Sequence, residues 1–208
     1  LILVQGINTF LSFIFLPYLS RALSVEDYGT YGQTLLIVNI VFVGFSFGLG
    51  KIIYTYFSDP KQDNNEVFIS NLYVAVLSGI FAILIFLPLV GFTSNLFDNQ
   101  NIEPLLLIYL LSVPFSIAYL TVNASLIFFD KVSLVAKIAV FTNILKILLI
   151  IIAIQILNSI LAIFYFLLFI SFLQFSIGIY FSKKIFSFSS KKFKLNLALE
   201  QLKYGLPL

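Results

Sequence analysis

Uncharged apolar stretches about as long as a bilayer is thick recur along the whole chain, and they exclude most folds. A membrane-spanning helix needs roughly 20 predominantly apolar residues. Residues 1–20 form one such stretch and residues 28–50 a second. A third lies within 67–97 and a fourth within 104–129. Residues 132–182 are too long for one span, and the polar Gln155, Asn158 and Ser159 divide them into a fifth and a sixth. Transmembrane strands would instead alternate polar and apolar residues over short segments. Composition agrees: 61% of the 208 residues are hydrophobic and 10% charged, against about 25% charged in a soluble domain. The expected fold is therefore all-α and integral to a membrane, with six helices over residues 1–182.

The residue types removed are as informative as those present. There is no Cys and no His, which excludes disulfides, thiolate nucleophiles, the usual zinc sites and the commonest general base. No glycine-rich nucleotide loop and no metal-ligand cluster is visible, and no cofactor or nucleic-acid partner is expected. With no Trp but 25 Phe and 11 Tyr, interfacial anchoring falls to Tyr and Phe. No Met is present, and Gly205-Leu206-Pro207-Leu208 reads as the start of another apolar run, so the chain is expected to be a fragment.

Charge sets the orientation. The joints after spans two, four and six carry Lys51, Lys61, Lys131, Lys137, Lys183, Lys184, Lys191, Lys192, Lys194 and Lys203, while the opposite joints carry Arg21. Cytoplasmic loops hold the excess of Lys and Arg. The N-terminus is therefore expected in the cytoplasm of a bacterial cell, with the chain multi-pass in the inner (plasma) membrane. Residues 183–204 place Phe193, Leu195, Leu199 and Leu202 among lysines, the pattern of an amphipathic linker helix lying on the cytoplasmic face. Residues 205–208 would then begin a seventh span.

Lys146 belongs to neither side, because it falls mid-span. A lysine at the centre of a spanning helix costs ~2.5–3.5 kcal/mol, so it usually faces a bundle interior or a wet cavity. There it would hold an anionic group such as a phosphate; the alternative is a snorkelling or hydrogen-bonded structural lysine. Asn143, one turn earlier, shares its face. Span four sets Ser112, Ser116, Tyr119 and Asn123 on one face beside Pro114. Span one does the same with Gln5, Asn8 and Ser12, and span six with Ser171, Gln174 and Gly178. Such stripes either glue helices together or line a polar path. Several stripes with one lysine favour a hydrophilic cavity built from Lys146, Asn143, Asn123, Tyr119, Ser116, Asn8, Gln5 and Gln174. Gly44 and Gly48 match a GxxxG packing pattern. Ser24 followed by Asp27 reads as a helix N-cap, and Glu26 and Asp27 as favourable charges at that N-terminus; the competing role is an acidic catalytic pair. No span carries an internal carboxylate.

Gln5-Gly6-Ile7-Asn8, Leu16-Pro17-Tyr18-Leu19-Ser20-Arg21-Ala22-Leu23, Glu26-Asp27-Tyr28-Gly29 and Tyr31-Gly32 resemble the opening of Wzx-type polysaccharide flippases, with Ser24-Val25 where Gly-Pro is common. Leu202-Lys203-Tyr204-Gly205-Leu206-Pro207 resembles that family's approach to span seven. The resemblance implies the N-terminal lobe of a two-lobed, 12- to 14-helix transporter of the multidrug/oligosaccharidyl-lipid/polysaccharide exporter superfamily. The implied substrate is an undecaprenyl-pyrophosphate-linked oligosaccharide of O-antigen, capsule or related type. It would cross a polar cavity between lobes, with Arg21 as a gate or phosphate contact. The implied partners are membrane lipids, the second lobe, and a polysaccharide polymerase and glycosyltransferases; no enzymatic activity is implied. Two alternatives remain. A drug/cation antiporter of the same superfamily commonly needs a buried carboxylate. A membrane glycosyltransferase or polymerase would use Glu26 and Asp27 and carry a large outer loop.

Overall fold

A computed structural model describes residues 2–188 and 193–205, without the side chains of residues 2–5, 7, 8, 12 and 14. The described chain is helical throughout its ordered elements. Helix α1 spans Ile2–Ala22, α2 Val25–Ser46, α3 Leu49–Phe57 and α4 Asn64–Phe86. A 3-10 turn at Leu87–Leu89 leads to α5, Val90–Leu96; then follow α6, Ile102–Leu110, and α7, Val113–Phe128. Helices α8 (Val132–Gln155), α9 (Ile160–Ser182) and α10 (Leu195–Gly205) complete the order. Among the described residues five segments are long and apolar enough to cross a membrane: Val25–Phe57, Asn64–Leu96, Ile102–Phe128, Val132–Gln155 and Ile160–Ser182. The stretch expected as the first span is a single helix of 21 residues, α1. The chain is thus an all-α, multi-pass membrane protein.

The joints fall at two ends of the bundle. At one end Asn101 donates to the Glu26 carboxylate at 3.0 Å, Asn99 donates to Gln33 at 2.9 Å, and Gln155 donates to the Tyr18 hydroxyl at 3.1 Å. At the lysine-rich end the Ser187 N–H donates to Asn65 at 2.9 Å, and Lys194 pairs with Glu66 at 2.7 Å. Rings of Phe57, Phe68, Phe129 and Phe186 stack beneath that end, Phe68 and Phe186 nearly parallel at 4.2 Å between centroids.

Local chemistry starts and stops these helices. The Ser24 Oγ accepts the Asp27 N–H at 3.0 Å, Asp63 accepts the Asn65 N–H at 2.9 Å, and Ser159 accepts the Ala162 N–H at 3.3 Å. Each satisfies an orphan donor of a first turn. Asp98, Asp130 and Asn158 take positive φ in the joints, a conformation these residue types tolerate. The polar break read at Gln155–Ser159 is observed: α8 ends on Gln155 and Ser159 caps α9.

Three spans are interrupted inside. Phe47 (φ 44°) and Gly48 (φ 62°) divide α2 from α3; Pro88 sits in the 3-10 turn; Pro114 opens α7 after the break at residues 111–112. Freed backbone groups at membrane depth need protein partners. The Ser78 hydroxyl donates to the Phe45 carbonyl, and the Ser112 hydroxyl donates to the Tyr109 carbonyl at 2.6 Å. The second span consequently runs on to Phe57, so Lys51 is an exposed helical residue rather than part of a joint.

Helix α4 turns its more polar face inward. On α4, Ser70, Asn71, Ser78 and Gly79 are buried with Val74 and Ala75, while Tyr73, Leu77, Phe81 and Leu84 are exposed. In water that face would be an aggregation hazard; in lipid it is the expected arrangement. Helix α4 packs most extensively against α7, and α8 and α7 against α9. The close approaches are not made by the GxxxG glycines. Gly44 and Gly48 have nothing within 4 Å of an added Cβ, since Gly44 faces outward and Gly48 serves the break. The packing glycines are Gly79, against the backbone of Pro114, and Gly178, against Val122 and Tyr119.

Candidate functional site: polar groups inside the helix bundle

Helix α8 positions the lysine. Its buried residues are Val135, Ile138, Thr142, Ile150, Ala153 and Ile154, and its exposed ones include Phe141, Ile144, Leu148 and Ile152. At 3.6 residues per turn, Lys146 lies one turn from both Thr142 and Ile150 and two turns from Ala153, in the middle of the buried face. The exposed face is opposite. Lys146 is half-buried, and its ammonium has no hydrogen bond or ion pair among the described residues. Asn143 is also half-buried and is hydrogen-bonded or otherwise engaged. Lys137 is exposed close to the lysine-rich end.

The α7 stripe divides into parts with different company. Ser112 is buried and Ser116 half-buried, and together with Asn39 of α2 and Tyr109 of α6 they line a pocket of about 190 Å³. Tyr119 lies within electrostatic reach of Gln174 of α9, beside the Gly178 contact. That pair ties α7 to α9. Asn123 is half-buried, and its side-chain oxygen is sealed from solvent with no partner. Ser171 donates back to the Leu167 carbonyl at 3.1 Å, a common way to satisfy a hydroxyl within its own helix. No described hydrogen bond links Lys146 to this stripe. The side chains of Gln5 and Asn8, and of Ser12, lie outside the described residues.

Arg21 ends α1 at the lysine-poor end, where it is exposed. The neighbouring acids are engaged structurally. Glu26 accepts from Asn101, and Asp27 accepts the Ser24 hydroxyl at 2.8 Å while its own N–H donates to Ser24. Among the described residues no group of His, Cys, Asp or Glu is arranged to hold a metal ion.

Two polar features went unread in the sequence. Asn39 is one: an amide that follows Gln33 in the second span, where the polar residues show no regular spacing. The other is the buried pair in which the Thr121 hydroxyl donates to Asn71 at 2.6 Å, across α4 and α7. A mid-span amide on each of two spans was the available signal.

These interior polar groups belong to a chain whose length is matched from end to end: the family model described as polysaccharide biosynthesis protein covers residues 1–208. The chain belongs to that family. No curated protein and no solved structure matches it. As a polysaccharide biosynthesis protein built from membrane helices, it holds Lys146, Asn123 and Ser116 partly buried and without a hydrogen-bond partner among the described residues, and Asn39 exposed at the edge of the pocket that Ser116 lines. The acids at its lysine-poor end are occupied with capping and bracing.

Proposed function

We propose that this polysaccharide biosynthesis protein is a flippase that carries a lipid-linked oligosaccharide, as its polyprenyl pyrophosphate, from the inner to the outer leaflet of a bacterial plasma membrane. The observation that carries the reading is Lys146: a cation with no partner among the described residues, on the inward face of a membrane helix, opposite the lipid-facing side. Such a group is tolerated where it meets an anion or water. A pyrophosphate has the charge to pair with it, and the glycan requires a polar surround of the kind that Asn123, Asn39 and Ser116 begin to form. The isoprenoid tail would remain in the bilayer. Rocking of one bundle against another, as in repeat-built transporters, would expose the site to each side in turn, with a second lobe completing the cavity. The lysine-rich end, and with it the N-terminus, is cytoplasmic on this reading. The protein does no bond chemistry; Glu26 and Asp27 hold structure.

The test uses cells lacking the full-length gene. A membrane-impermeant glycan reagent is applied to intact and to opened cells. Complete lipid-linked units trapped on the inner face support the flippase. Restoring the gene with Lys146→Leu should leave insertion intact and abolish outer-face display; normal display with that variant would remove Lys146 from the transport path. Accumulation of incomplete units would point to an enzyme instead.

A further inference from the structure

We propose that the pocket between α2 and the α6–α7 break is a glycosyl subsite, which receives one uncharged sugar unit of the transported glycan. The inference rests on the flippase reading and assigns a second recognition point to it, separate from the cation of Lys146.

Three observations carry it. The first is chemical. The pocket presents the Asn39 amide, the Ser112 and Ser116 hydroxyls and the Tyr109 side chain, backed by Val38 and Phe42, and no charged group. An amide and hydroxyls both donate and accept, which suits a ligand whose hydroxyls do the same. The aromatic walls suit the apolar face of a sugar ring, and a mostly apolar pocket with a few placed polar groups is the usual build of a small-molecule site.

The second observation is that these polar groups are uncommitted. Ser112 donates to the Tyr109 carbonyl, which leaves its oxygen free to accept. The Asn39 amide and the Ser116 hydroxyl have no hydrogen-bond partner among the described residues. At membrane depth an unpaired amide or hydroxyl costs free energy that a partner must offset.

The third is size. About 190 Å³ lies below the ~300–1,000 Å³ of sites for drug-sized ligands, which suits a single ring rather than a chain of them.

The experiment measures binding of two probes to the full-length protein in nanodiscs: polyprenyl pyrophosphate, and the same lipid bearing one neutral hexose or N-acetylhexosamine. The wild type should bind the glycosylated probe more tightly. Asn39→Leu combined with Ser116→Ala should weaken that probe about tenfold, the expected loss of two hydrogen bonds, and leave the unglycosylated probe unchanged. Retained binding of the bare lipid reports that the variant is folded. Lys146→Gln should weaken both probes alike. The subsite is overturned if the wild type does not prefer either sugar-bearing probe, or if the double variant keeps the preference. If the wild type binds neither lipid, the flippase reading itself has failed.

Discussion

Adding one methyl group at Gly79 should separate the two helices with the largest shared interface. A Cβ built there would lie 2.3 Å from the Pro114 Cα, 2.8 Å from its nitrogen and 2.9 Å from its Cβ, where ordinary contact begins at 3.4 Å. Two of the three atoms are backbone, and the third belongs to a ring that cannot rotate away. Helices α4 and α7 must therefore part by about 1 Å, and an interior packed at native density transmits that shift. Overpacking of this kind costs about 1–3 kcal/mol, with unyielding contacts at the upper end. Against it stands the gain of about 0.5–1 kcal/mol from replacing a mid-helix glycine by alanine. Gly79→Ala should thus lose about 2 kcal/mol. Gly178→Ala provides the graded comparison: its Cβ would lie 2.6 Å from the Val122 Cγ1 and 3.2 Å from the Tyr119 ring, side-chain rather than backbone atoms, so the loss should be smaller, about 1 kcal/mol. Gly44→Ala, with nothing within 4 Å, should be neutral or slightly stabilising. The assay is thermal unfolding of the three purified variants in one detergent, alongside yield from the membrane. Equal melting of Gly79→Ala and Gly44→Ala would refute the argument that the α4–α7 approach depends on the missing Cβ.

Thr121→Val should destabilise by about 1–3 kcal/mol, because it leaves the buried Asn71 amide without its donor while preserving shape; Thr121→Ser, which keeps the hydroxyl, should restore most of the loss in the same melting assay. Glu26→Gln and Asp27→Asn should retain full outer-face glycan display, since both side chains act in capping and bracing; loss of glycan synthesis in either variant with normal protein yield would revive the acidic-pair enzyme.

Much of the site was legible as a list of residues and not as an arrangement. Lys146 stood out because a charge in the centre of an apolar run is costly wherever the helix points. That it points inward is decided by Thr142, Ile150 and Ala153, whose burial depends on α9 and its neighbours. The spacing set Ser116, Tyr119 and Asn123 on one side of α7, with Ser112 in the break before it. It could not show that Tyr119 sits against Gln174 and Gly178 of α9 while Ser116 opens towards Asn39. The GxxxG reading failed for a related reason. A pattern of small residues says that close approach is permitted, and the neighbour's position says whether it occurs: Gly79 meets Pro114, whereas Gly44 meets nothing.

Which stretches are apolar enough to cross a membrane, and which joints hold most of the lysines, was determined by the sequence alone. Transfer of an apolar run into lipid is a local free energy, summed over about 20 successive residues, and loop charge is read off residue by residue. Ser24, Asp63 and Ser159 likewise cap their helices through bonds to neighbours two or three residues away. The tertiary structure alone decided which face of each helix looks inward, which glycine admits another backbone, and which polar groups remain without partners. Those properties belong to pairs of helices brought together across tens of residues, and no single helix carries the energy that selects them.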